Sequence, residues 1–134
     1  MNLVIDANII FACLIKEGKT HELLFNDSLH LYTPEFFFIE LGKHQKEITS
    51  KTKRTEQEYN ELFKAVKKKI RLISLEELLP TLEEAEKISP DPEDVAYFTL
   101  ALKLKCPIWT NDKLFKKQSK VLVFTTKEII ELTR

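Results

Sequence analysis

Short apolar runs alternate with capped helical segments along the whole chain, and this alternation constrains the fold more than any other feature of the sequence. Leu3 to Asp6 reads as a buried strand. A helical segment follows without any Pro or Gly, its start placed near Asn8, a residue type suited to an N-cap. A short helix over about 20 to 28 opens at Thr20, and Leu29 to Thr33 forms a second strand. Thr33, Pro34 and Glu35 then supply a cap, a first-position proline and a first-turn acid. Because Phe36 to Ile39 is apolar all round, the helix they open is expected to be buried on more than one side. Charged residues 49 to 54 separate it from a helix that Thr55 and Glu58 begin at capping-box spacing. The stripe Tyr59, Leu62, Phe63, Val66 and Ile70 gives that helix one apolar face, so the two helices pair as a hairpin.

The second half repeats the pattern. Arg71 to Ser74 is a third short strand, and Ser74 with Glu77 caps an acidic helix ending near Ser89. Asp91, Pro92, Glu93 and Asp94 place a cap, a proline and two first-turn acids before VAYFTLALKLK, a buried helix that Pro107 stops. Ile108 to Thr110 is a strand, Asn111 or Asp112 caps a short helix, Val121 to Phe124 is a last strand, and Thr125 with Glu128 caps a final helix. Strand and helix in alternation predict right-handed crossovers and a mostly parallel sheet covered on both faces, an α/β class with three layers, α/β/α.

Composition excludes several alternatives. A chain of 134 residues can close one sizeable core without a metal or disulfide staple. Cys13 and Cys106 sit among apolar residues with no CxxC spacing and no nearby His, so they read as free thiols. No uncharged apolar stretch is long enough for a membrane span, and Asp6 interrupts the opening apolar run too early for a signal peptide, so an intracellular, cytoplasmic protein is expected. Zero net charge conceals segregation: residues 43 to 71 carry ten Lys or Arg against four Glu, 74 to 94 one Lys against eight acids, and 103 to 120 six Lys against one Asp. That pattern fits a polyanion approaching one side of the surface, or simply solvated helix faces.

In a parallel sheet with crossover helices, strand C-termini and helix N-termini share the edge where ligands bind. Asp6 ends the first strand, Asp112 lies just beyond the strand ending at Thr110, and Asp94 is in the first turn of its helix. Glu40 lies two turns into its helix, but helical side chains lean toward the N-terminus and bring its carboxylate back to the same edge. Asp91 is close by. Taken singly, Asp91, Asp94 and Asp112 each have an ordinary reading as a cap or first-turn acid. Asp6 closes an apolar strand and Glu40 interrupts FFFIEL, so both are expected to be buried, and a buried carboxylate needs compensation. No basic residue lies within four positions of Asp6, and the nearest to Glu40 is Lys43. Hard oxygen donors without His or Cys select Mg²⁺ or Mn²⁺, which pairs naturally with phosphate oxygens and suggests phosphodiester hydrolysis.

With these residues in order, the chain resembles the PIN-domain nucleases, the family that includes the VapC-type toxins of toxin-antitoxin pairs. Four segments carry the resemblance: VIDANII, FFFIELGKH, DVAYFTLALKLK and PIWTND. It covers nearly the whole chain and implies a single PIN-like domain over 1–134 with a helical hairpin at about 35–70. It further implies an acidic metal site of Asp6, Glu40, Asp94 and Asp112, with Asn8 and Thr110 orienting carboxylates or water. Asp91 departs from that pattern as a possible fifth acid, its contact with the metal left open. The implied activity is that of a Mg²⁺- or Mn²⁺-dependent ribonuclease. RNA is the implied substrate, a homodimer the implied assembly and an antitoxin the implied protein partner.

Tyr97 and Phe98 are bulkier than the residues many relatives carry there and are expected to alter packing without touching the chemistry. His44, Lys113 and the lysines Lys64, Lys67, Lys68 and Lys69 each have a solvated reading beside one near the site or on RNA. A competing reading keeps the fold and acidic pocket for RNA or protein binding with weak or no catalysis. An aspartyl-phosphate phosphatase is disfavoured because Asn8 stands where D-x-D needs its second acid. A receiver domain is disfavoured because RLIS ends in no acid.

Overall fold

Strands β1 (Asn2–Ile5), β2 (His30–Pro34), β3 (Ile70–Ile73), β4 (Ile108–Trp109) and β5 (Val123–Phe124) form one sheet in the computed structural model, which describes residues 1–134. Every neighbouring pair is parallel, in the order β3-β2-β1-β4-β5. Parallel neighbours need crossovers rather than tight turns. The chain supplies α1 (Ala7–Ile15) and α2 (Lys19–Leu24) between β1 and β2, then α3 (Glu35–Lys43), α4 (Gln45–Ser50) and α5 (Glu56–Lys69) between β2 and β3. Between β3 and β4 lie α6 (Leu75–Ile88), a 3₁₀ turn Pro92–Asp94 and α7 (Val95–Leu104). A second 3₁₀ turn, Lys113–Lys116, separates β4 from β5, and α8 (Thr126–Leu132) follows β5.

Two-residue alternation sorts the sheet into two cores. Leu3, Ile5 and Trp109 pack on one face with Ile10, Leu14, Leu24, Val66 and Ile129, which come from α1, α2, α5 and α8. Val4 and Ile108 pack on the other with Leu78, Ala85, Phe98 and Leu100 from α6 and α7. This is the three-layer α/β/α arrangement expected from the sequence, with a sheet that is wholly parallel. No helix is long and apolar enough to cross a membrane. Cys13 is buried, Cys106 is half-buried, and both are free thiols.

Capping boxes form at Thr55/Glu58, Ser74/Glu77 and Thr125/Glu128 as their spacing requires. Four local expectations are corrected. Asp6, not Asn8, caps α1, accepting from the Asn8 N–H at 3.0 Å. Gly18, at φ +155°, opens α2 in place of Thr20. Thr33 does not cap α3: Pro34 takes that place, and the Thr33 hydroxyl donates to the Ile5 carbonyl at 3.0 Å, tying β2 to β1. Helix α3 is less buried than expected: Phe38 and Leu41 enter the first core and Phe37 packs half-buried against the second, while Phe36 and Ile39 are 41% and 51% exposed. Leu75 and Leu79 at the start of α6, which flank that exposed side, are themselves exposed.

Two consequences bear on the site. The strand order reverses beside β1, since β2 lies on one side of it and β4 on the other, and such a switch point opens a crevice at the carboxyl ends of the strands. Helix α5 runs directly into the start of β3, so Lys67, Lys68 and Lys69 stand at the opposite edge, where the Lys69 ammonium donates to the Asn26 carbonyl at 2.8 Å. That cluster therefore lies away from the crevice.

Candidate active site at the carboxyl edge of the sheet

Asp6 stands at the switch point. It directly follows β1 and caps α1, and it is only 4% exposed. A buried carboxylate must be hydrogen-bonded, and both oxygens are: Oδ1 accepts from Asn8 N–H at 3.0 Å, and Oδ2 accepts from the Thr110 hydroxyl at 2.7 Å. Each oxygen keeps a further lone pair free for another donor or a cation. Thr110, fully buried, also accepts from the Asp112 N–H at 3.0 Å, so one hydroxyl connects Asp112 to Asp6 across the β1–β4 crevice.

Asp112 itself is exposed and caps the second 3₁₀ turn, its Oδ1 accepting from Leu114 N–H at 3.0 Å. Asp91 caps the first turn in the same way, through Glu93 N–H at 2.9 Å. Asp94 occupies the N-cap position of α7 but makes no side-chain cap hydrogen bond there. The first-turn reading thus leaves its carboxylate without the usual helix partner. Burial, then the charges of Asp91, Asp6 and Asp112, raise its pKa from 3.8 to about 6. Those three charges from three separate segments are felt at one carboxyl, and no Lys or Arg offsets them: none of the five ion pairs includes Asp6, Glu40, Asp91, Asp94 or Asp112.

Glu40 stands apart from this group. It is exposed, which removes the expectation that it is buried and must be compensated. It lines a shallow cleft with Ala7, Asn8, Phe37 and His44, so it faces the first turn of α1 from the α3 side. Glu40 is not among the charges acting on Asp94. His44 hydrogen-bonds toward Glu47 at 3.3 Å rather than toward any of the acids, and Lys113 is exposed beside Asp112.

The donor set is all carboxylate and hydroxyl oxygen, net negative and without a basic counter-group. That chemistry fits a hard divalent cation. In this arrangement no three acidic, His or Cys side chains are gathered as a ready-made ligand set. Asp6 acts on Asp94 by its charge, after Asp91, and its Oδ2 is linked through the Thr110 hydroxyl to the Asp112 backbone N–H.

Tyr97 was missed by sequence reasoning, which assigned it to packing. The Ala7 N–H, the amide next to Asp6, donates to the Tyr97 hydroxyl at 3.0 Å. The signal was available: Tyr97 is three residues after Asp94 and so shares its helix face.

A family model described as PIN domain matches residues 4–131. No curated protein matches the chain.

Proposed function

Because the chain belongs to the PIN-domain family, whose members are generally nucleases that use divalent metals, we propose that it is a Mg²⁺- or Mn²⁺-dependent ribonuclease. The observation that carries the reading is the buried Asp6 carboxylate at the β1–β4 switch point, tied through Thr110 to the Asp112 amide and acting by its charge on Asp94, with no Lys or Arg paired to any of the three acids. A divalent ion held by these carboxylates would lower the pKa of a water and offset negative charge on the phosphodiester.

The chain's own residues do the rest. Asp6 and Asp94 hold the ion most directly. Asn8 N–H and the Thr110 hydroxyl fix the Asp6 carboxylate, and Thr110 couples it to Asp112. Asp112 or Glu40 positions or deprotonates the attacking water; the link through Thr110 favours Asp112. Asp91 caps its turn as Asp6 and Asp112 cap theirs, and it acts on Asp94 by its charge, so it stands as an additional candidate ligand. Lys113, exposed beside Asp112, is available to an RNA phosphate.

The finer reading, the toxin of a toxin-antitoxin pair acting in the cytoplasm with an antitoxin as partner, is supported by the order of the four motifs. A homodimer has an apolar face to use in Phe36, Ile39, Leu75 and Leu79. A PIN-like module that binds RNA or protein with weak catalysis is favoured by one observation, the absence of three side chains already gathered for a metal. Incubation with single-stranded and structured RNAs in Mg²⁺ or Mn²⁺ separates the two. Cleavage that EDTA and Asp6→Asn abolish supports the nuclease; intact RNA under every condition, with RNA still bound, supports the module.

A further inference from the structure

We propose that Tyr97 is a positioning residue for Asp6, its hydroxyl fixing the Asp6–Ala7 corner from the α7 side so that the carboxylate is held for a cation. The proposal rests on reading Asp6 as a ligand.

Three elements meet at that corner. Asp6 is clamped from α1 by Asn8 N–H and from the β4 side by Thr110. The Ala7 amide opens α1 and so has no partner within its own helix; it donates to Tyr97 Oη at 3.0 Å, across ninety positions of sequence. Tyr97 is 3% exposed and its ring lies flat against Phe37 of α3, centroids 4.4 Å apart at 6°. Its edge also meets Phe115 at 5.9 Å. The ring is thus held on two sides, and the hydroxyl has little freedom. A phenol that accepts from Ala7 keeps one proton to donate. Burial and then the neighbouring Asp6 charge keep that phenol protonated far above its ordinary range. The same helix carries Asp94 one turn earlier, so Tyr97 couples the placing of Asp94's helix to the Asp6 corner.

Phe in place of Tyr97 retains the ring stack and removes only the hydroxyl. Tyr59 provides a matched control, because its hydroxyl is buried with no hydrogen-bond partner and lies in the other core. The experiment compares wild type, Tyr97→Phe, Tyr59→Phe and Asp6→Asn in two measurements on the metal-free and Mn²⁺-titrated proteins. The first is hydrogen exchange at the Ala7 amide; the second is Mn²⁺ affinity by electron paramagnetic resonance.

The expectation is faster Ala7 exchange and Mn²⁺ affinity weakened about tenfold in Tyr97→Phe, the scale on which groups that orient metal ligands act. Tyr59→Phe should match wild type in both. Wild-type Mn²⁺ affinity in Tyr97→Phe, with Asp6→Asn binding lost, overturns the role of Tyr97 and leaves the ribonuclease reading standing. Absence of Mn²⁺ binding in the wild type overturns both. Equal weakening in Tyr97→Phe and Tyr59→Phe would mean a general loss of packing and also overturns the proposal.

Discussion

At the scale of single residues, the chemistry depends on which carboxylates are compensated. Asp6→Asn keeps an oxygen that accepts from Asn8 N–H, and its Nδ2 can donate to the Thr110 hydroxyl oxygen where the carboxylate accepted, so the fold should survive while metal-dependent cleavage falls at least a hundredfold, read by a nuclease assay beside a circular dichroism melt. Asp94 gives a pH signature. Its folded pKa of about 6 lies above its ordinary 3.8, so ionisation opposes folding. The Asp94 contribution to stability is full below pH about 4, falls as pH rises through 6, and stays reduced above that. In EDTA, Asp94→Asn should therefore melt higher than wild type at pH 7.5 and equal to it at pH 3.5. Because the group is partly open to solvent, the gain is at most about 1 kcal/mol, or about 3 to 5 °C. Saturating Mg²⁺ should reverse the order. Asp6 was legible from the sequence because an acid closing an apolar strand demands an explanation. Glu40 was misjudged as buried for a related reason, since FFFIEL names neighbours that only the placement of α3 could show to be half exposed. The spacing from Asp94 put Tyr97 on the right helix face, but its hydroxyl's partner, Ala7, lies ninety positions away and could not be read from it.

Elements were more legible than contacts. Thr55/Glu58, Ser74/Glu77 and Thr125/Glu128 could be found because a capping box is a local, reciprocal pair of hydrogen bonds. The exchange of Asn8 for Asp6 as the cap of α1, and of Thr33 for Pro34 at α3, could not, because strand ends and helix starts share residues there and the tertiary partner decides. Helix α8 offers a second pH test. Glu128 accepts from Lys116 and from the Thr125 backbone, which together lower its pKa to about 2. Its contribution is present above its ordinary 4.5 and is lost as pH falls toward 2, so Glu128→Gln should lower the melting temperature at pH 7 and converge with wild type near pH 2. Thr125→Ala should cost about 1 kcal/mol by denaturant titration at neutral pH, the usual value of an N-cap. A variant that melts like wild type would mean that α8 docks through Ile129 alone.

For the whole molecule, strand alternation carried the fold class, but the order β3-β2-β1-β4-β5, which places the crevice beside β1, follows from pairings no single segment encodes. That order explains why the lysines ending α5 are remote from the acids while Lys113 is adjacent. It also accounts for a molecule with zero net charge presenting an uncompensated acidic point. A cation that binds only the folded state at a hundred times its dissociation constant adds about 2.7 kcal/mol, so Mn²⁺ should raise the melting temperature by several degrees in wild type and not in Asp6→Asn. The central claim is that separate segments present their carboxylates to one ion. Crystals soaked in Mn²⁺ and measured at the manganese edge test it directly. The account predicts an anomalous peak in direct coordination with Asp6 and Asp94, whereas a map with no peak there, or with manganese only on surface carboxylates elsewhere, would contradict it.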